Sequence, residues 1–144
     1  MESTILLVED NCDDVLIFKR AFKKADLTLA LAVVNNGQEA IDYLLGRLAF
    51  RDRQYPLPCL IFLDLKTPLK TGFDVLDWLS KNEAMRTIPA VVLSSSDEPR
   101  DVDKALQLGA RAYVVKPPIP EKLVELVDSF VISETLTSPV KAGK

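Results

Sequence analysis

The segment "LIFLDLKTP", Leu60 to Pro68, runs four apolar residues straight into a carboxylate and then breaks at Lys66, Thr67 and Pro68. A short, continuous apolar run bounded by turn residues reads as a strand buried on both faces. Asp64 at its tip is open to two readings. It is either a turn residue, because Asp commonly ends strands, or a reactive group displayed by a rigid sheet. The choice depends on what the rest of the chain brings to the same place.

Four more apolar runs accompany it: "TILLVE" (4–9), "TLALAVV" (28–34), "PAVVLSS" (89–95) and "RAYVVK" (111–116). All but the second are nearly continuous; Leu29 to Val34 is compatible with an edge strand or a short helix. Helix-length segments lie between the runs. Asp13 to Ala25 opens on acids and gathers lysines and arginine towards its end, as the helix dipole favours. "QEAIDYLL" (38–45) follows an Asn-Asn-Gly turn, and Thr71 to Lys81 carries Phe73, Leu76 and Leu79 at helical spacing. Pro99 to Leu108 is stopped by Gly109, and Pro120 to about residue 134 has proline at its start. Strand and helix therefore alternate five times. That pattern predicts an α/β fold, a doubly wound five-stranded parallel sheet of order 2-1-3-4-5 with helices on both faces, flavodoxin-like.

In such sheets ligands bind beyond the carboxyl ends of the strands, where the strand order reverses. The residues that follow each run are then the candidates: Glu9 and Asp10 after the first, Asp64 after the third, Ser94 and Ser95 after the fourth, Lys116 after the fifth. Carboxylates gathered at one edge repel one another and are costly to desolvate. They suit a hard divalent cation such as magnesium (Mg2+), which takes oxygen ligands. With that charge in place Asp64 is a nucleophile for a phosphoryl group. Lys116 would pair with a phosphoryl oxygen and Ser94 would donate a hydrogen bond.

The composition narrows the chemistry. The 144 residues contain no histidine, so neither a His-based triad nor a His-ligated metal is available, and any phosphohistidine donor must be another molecule. The net charge of −3, without a basic stripe, argues against a nucleic-acid surface. The chain has no apolar run of bilayer length and no signal peptide, so no membrane association is expected and a cytoplasmic location is the default. Cys12 and Cys59 fall at opposite ends of their strands, roughly 16 Å apart for five residues of parallel strand, beyond disulfide reach.

On "LLVEDN" (6–11), "LIFLDLKTPLKTGFDVL" (60–76), "VVLSSSD" (91–97) and "GARAYVVKPP" (109–118), nearly the whole chain resembles the CheY-like receiver domain of two-component response regulators. The resemblance implies Asp64 as phosphoacceptor, Glu9 and Asp10 as magnesium ligands and the Lys66 carbonyl as a further ligand. It implies Ser94 as the hydroxyl switch, Tyr113 as the aromatic switch and a cis Lys116–Pro117 bond. Thr67 stands where many members carry methionine, and Pro118 where an aromatic residue is frequent. The domain is expected over 1–134, with 135–144 as a flexible tail.

The loop "GRLAFRDRQYPLP" (46–58) looks like that of the stand-alone members that partner phytochromes. Its Arg47, Arg51 and Arg53 would dock an acidic partner, or the loop is simply solvated and anchored by Tyr55 and Leu57. The implied function is a single-domain response regulator, not an enzyme beyond its own phosphorylation and slow dephosphorylation. It would be phosphorylated by a sensor histidine kinase, such as a phytochrome, or by a histidine phosphotransfer protein. The donor would dock on the first helix and the loop after the fifth strand, where Ile17, roughly 200° around the helix from Val15, is exposed. Output would be contact with a downstream protein target, or a homodimer, through the face of the fourth helix, fifth strand and fifth helix. The rival readings are an aspartyl-phosphate phosphatase, disfavoured by Lys66 where those sites place a second acid, and a phosphorylation-independent binding module.

Overall fold

The computed structural model describes residues 3–47, 50–51 and 57–131. Five strands and five helices alternate: β1 (Thr4–Val8), α1 (Cys12–Lys24), β2 (Ala30–Val34), α2 (Gly37–Leu45), β3 (Leu60–Leu63), α3 (Gly72–Lys81), β4 (Ala90–Ser94), α4 (Pro99–Gln107), β5 (Ala112–Val115) and α5 (Pro120–Phe130). All pairings are parallel, and the strand order is β2-β1-β3-β4-β5. The order reverses between β1 and β3.

Three of the four continuous apolar runs are strands buried on both faces; the fourth, β5, lies at the sheet edge, where only Val114 is buried and Val115 is exposed. Every residue of β1, β3 and β4 is buried. The ambiguous run 29–34 is an edge strand, half-buried along most of its length, as expected where one side lacks a neighbouring strand. Alternate residues of β1 feed two separate cores. Leu6 and Val8 pack with residues of α2 and α3 such as Leu44, Val75 and Leu79. Ile5 and Leu7 pack with Phe18 of α1 and Leu123 and Val127 of α5. This is the period-two signature of a strand sandwiched between helical layers.

The helix ends differ from expectation by a residue or so, for local reasons. Asn11 caps α1 by accepting from the Asp14 N–H, so the helix begins at Cys12 rather than Asp13. Thr71 caps α3 in a reciprocal box with Asp74, leaving Gly72 as the first helical residue. The fifth helix ends at Phe130 rather than near residue 134, with the Val131 N–H closing the last turn on Val127. The expected tail, 135–144, and Arg53 and Tyr55 lie outside the described residues. Leu57 is exposed rather than the expected anchor, and among the described residues of the 46–58 loop Phe50 packs edge-on against Tyr43 at 5.5 Å. Cys59, bonded to the Thr4 carbonyl, and Cys12, at the start of α1, sit at opposite ends of the strands as expected.

Gly72 governs how closely α3 approaches Asp64. A Cβ there would lie 2.6 Å from the Asp64 carbonyl oxygen and 2.9 Å from Leu65 Cα, so only glycine lets α3 start against the end of β3. Gly72→Ala should therefore destabilise the fold by about 2 kcal/mol, as overpacking does. Urea denaturation checks this, with amide chemical-shift changes expected to centre on Asp64 and Leu65.

Candidate functional site

The backbone ladder itself carries the site residues to the rim. Just past the ends of the strands, the Glu9 N–H bonds the Val34 carbonyl at 3.0 Å, the Asp64 N–H bonds the Val8 carbonyl at 3.0 Å, and the Lys116 N–H bonds the Ser94 carbonyl at 2.8 Å. Each side chain is thus aimed by the final rung of a parallel ladder. Glu9 and Asp64 stand on either side of the β1/β3 crevice where the strand order reverses.

Their charges converge. Carboxylate oxygens of Glu9, Asp10 and Asp64 lie within 4.8 Å of one another. An octahedron with ligands at about 2.1 Å spans roughly 4.2 Å between opposite oxygens, so modest side-chain rotation fits these hard donors around a divalent cation. Lys116 Nζ lies 2.7 Å from Glu9 Oε1, 2.8 Å from Asp14 Oδ2 and 3.5 Å from Asp64 Oδ1. The second Glu9 oxygen accepts from the Asn11 N–H. The bond between Lys116 and Pro117 is cis, as expected.

The remaining expected residues take distinct positions. Ser94 is buried at the end of β4 and its hydroxyl accepts from the Ser96 N–H. Tyr113 is half-buried in β5 and donates its hydroxyl to the Ser96 carbonyl at 2.8 Å. Lys66 is an exposed turn residue two positions after Asp64. Thr67 is buried, and its hydroxyl ties down the turn by donating to the Lys70 carbonyl.

Two participants escaped the sequence reading. Asp14 reads as an ordinary acid in the first turn of a helix, yet it is a direct partner of Lys116. Its position four residues after Asp10, one helical turn on, was the signal available. Ser96 joins Ser94, Tyr113 and, through its own hydroxyl at 2.7 Å, Asp101 of α4. Nothing in the run of three serines distinguishes it.

Burial holds the Glu9 carboxyl above the ordinary range, with the nearby Asp64 charge adding to the effect and Lys116 opposing it. Asp64 is likewise raised by burial, against the pull of Lys116 and the Lys66 N–H. Burial disfavours the Lys116 ammonium, but hydrogen bonds to Asp14 and Glu9 and the Asp64 charge outweigh it and leave the lysine above its usual value.

An open doubly wound sheet with acids, a hydroxyl and an ammonium around its switch-point crevice is a CheY-like receiver fold. Residues 5–128 match the response regulator receiver domain model, and the chain belongs to that family. It is 35% identical over 126 residues to "Probable methanogenesis regulatory protein FilR2" of Methanothrix harundinacea (strain 6Ac), covering 88% of this chain and 79% of that one. It is 32% identical over 138 residues to response regulator Rcp1 of Synechocystis sp., covering 94% of this chain and 92% of that one. Rcp1 has been solved in an Mn(2+)-bound form. The bacteriophytochrome response regulator RtBRR superposes with a TM-score of 0.81 at 38% identity, over 91% of this chain and 79% of that one.

The protein is a response regulator of two-component phosphorelay signalling. Receiver domains are signalling phosphoacceptors that work with histidine kinases and bind a divalent cation through acidic residues, and the acidic cluster needed for that is present. Among the described residues no helix is long and apolar enough to cross a membrane.

The raised carboxyls carry a stability sign. A folded-state pKa above the unfolded one gives stability that is present below the ordinary carboxylate pKa and lost as pH rises through the raised value. At neutral pH both acids are ionised at a cost. Asp64→Asn should therefore melt about 3 °C higher than wild type at pH 7 in metal-free buffer, the shift of roughly 1 kcal/mol in a domain of this size. The difference should shrink towards pH 4, as scanning calorimetry across that range would reveal.

Proposed function

We propose that Asp64 is the phosphoacceptor and that the protein acts as a single-domain response regulator of the Rcp1 type. The observation that carries this reading is the convergence of Glu9, Asp10 and Asp64 with the Lys116 ammonium at the switch point. The match along 92% of Rcp1 supports the single-domain output mode. The reading of 1–134 as one receiver unit is supported by the family match and by Val131, still buried in the core beneath α1 and α5. A cytoplasmic location accords with it.

In this reading Glu9, Asp10, Asp64 and the Lys66 carbonyl would hold Mg2+, which would supply positive charge against the phosphoryl oxygens. An Asp64 oxygen forms a bond to phosphorus while the phosphorus–nitrogen bond of the donor's phosphohistidine breaks, and the imidazole leaves with the electron pair. Lys116, already within 3.5 Å of Asp64, turns towards a phosphoryl oxygen. Lys66 offers no acid two residues after Asp64, so nothing on the β3–α3 turn serves a leaving group as an aspartyl-phosphate phosphatase requires. The chain's own catalysis is then confined to its phosphorylation and slow dephosphorylation.

Ser94 turns its hydroxyl to the phosphoryl group and gives up the Ser96 N–H. Ser96 also holds Tyr113 and Asp101, so the shift passes to β5 and α4 together. In α4 only Ala105 is fully buried, which makes this helix easy to displace. The face it shares with β5 and α5 presents Leu106, Val115 and Ile119. That face would meet a downstream protein target or form a homodimer.

The donor is a sensor histidine kinase, a phytochrome among the candidates given the RtBRR likeness, or a histidine phosphotransfer protein. Ile17, 39% exposed, lines a groove of about 380 Å³ with Arg20, Lys23, Lys24, Pro118 and Pro120. An adjoining pocket of about 280 Å³ reaches Lys116. Both support docking beside α1 and the loop after β5. Arg47 bonds Asp42 at 3.2 Å, so it serves the α2 end and is less free for an acidic partner.

Incubation with magnesium and acetyl phosphate, read by intact mass, tests the proposal. One hydroxylamine-sensitive phosphoryl adduct is expected, and none in Asp64→Asn. Sustained phosphate release over many turnovers would favour a phosphatase instead.

A further inference from the structure

Asp14 takes no part in the phosphoryl transfer proposed for Asp64, yet it makes one of the two shortest contacts to the lysine of the site. Its Oδ2 accepts from Lys116 Nζ at 2.8 Å, against 2.7 Å to Glu9 and 3.5 Å to Asp64. Its carboxylate is not among the three that converge as a cation site. Asp14 lies on α1 and Lys116 beyond β5, so the pair joins segments about a hundred residues apart in sequence, and both line the pocket of about 280 Å³. The ammonium is therefore drawn towards two acids that are not the proposed phosphoacceptor, and away from the one that is.

We infer that Asp14 is a positioning residue that holds Lys116 in a resting place, competing for the ammonium with whatever is bonded to Asp64. The inference rests on the reading of Asp64 as phosphoacceptor. Lysine has three N–H donors on one compact charge. In the resting arrangement they serve Glu9 and Asp14 at short range. When Asp64 carries a phosphoryl group, its oxygens must recruit the ammonium against the attraction of Asp14. The Asp14 charge also adds to the negative field that draws a cation into the rim, so removing it acts in opposite directions on the two binding events. The cation is held less tightly, because the field is weaker and Lys116 is left to press on Glu9. The phosphoryl group is held more tightly, because Lys116 is freer to meet it. The Asp14 side chain is 34% exposed, so solvent screens the pair and the effects are modest.

The test uses two ligands on the full chain: magnesium alone, and fluoroberyllate as phosphoryl mimic at saturating magnesium, each followed by calorimetric titration. In Asp14→Asn, magnesium should bind about two- to five-fold more weakly and fluoroberyllate about two- to five-fold more tightly, the range of a partly exposed ion pair. Asp14→Glu, which keeps the charge, should return both constants towards wild type, and raised salt should shrink the differences. Two affinities moving in the same direction, no change in either, or no rescue by glutamate would overturn the inference. If wild type binds no fluoroberyllate and takes no phosphoryl group from acetyl phosphate, it is the phosphoacceptor reading that has failed.

Discussion

Lys116 carries a positive charge into a rim where Glu9, Asp14 and Asp64 all lie within 4 Å of its Nζ. Without it, buried carboxylates from two neighbouring strands would face each other across a crevice with no countercharge, at a desolvation cost that burial multiplies. The ammonium does not cancel that cost: Glu9 and Asp64 stay above the ordinary carboxyl range despite it. The rim is thus held in a state that more positive charge would relax. That is the electrostatic condition for binding a cation and for accepting a phosphoryl group beside it.

The sheet makes this arrangement unavoidable once its topology is set. The same ladder that buries Leu6, Val8, Leu63 and Val92 ends in rungs made by Glu9, Asp64 and Lys116 themselves. A slip of one residue in any pairing would exchange the two cores and point the charged side chains into apolar layers. Stability of the core and geometry of the site are therefore one constraint. Gly72 belongs to it too, since α3 can approach the end of β3 only where no Cβ meets the Asp64 carbonyl.

This is why so much was legible in the sequence. Continuous apolar runs mark the three central strands, although β5 reads the same way and lies at the edge, and a polar residue directly after each run must appear at the carboxyl edge. Glu9, Asp64, Ser94 and Lys116 follow from that rule without knowledge of any contact. Asp14 and Ser96 do not, because they sit six and two residues beyond the ends of β1 and β4, where position depends on a cap and a turn. The Asn11 cap rotates α1 so that Asp14 faces Lys116, a consequence of tertiary packing that periodicity does not encode. The contact of Phe50 in the 46–58 loop was missed for a related reason. By composition several aromatic and aliphatic residues in that loop are equal candidates, and the contact of Phe50 follows from the position of Tyr43 in α2.

In the proposed switch, Ser96 is the link by which a change at a buried carboxylate would reach a surface. The Ser94 hydroxyl has one described protein partner, the Ser96 N–H, while the Ser96 carbonyl accepts from Tyr113 and its hydroxyl donates to Asp101 and accepts from the Glu98 N–H. A displacement of Ser94 alone would be local. A displacement that pulls on Ser96 acts on the edge strand and on the first turn of α4 through separate hydrogen bonds, and α4 has little burial to resist it. Packed interiors respond to small shifts by changing between discrete arrangements rather than deforming smoothly. A hub with one bond inward and three outward, the third from the Glu98 N–H to the Ser96 hydroxyl, set against a weakly anchored helix, is where such a change would be expected to start.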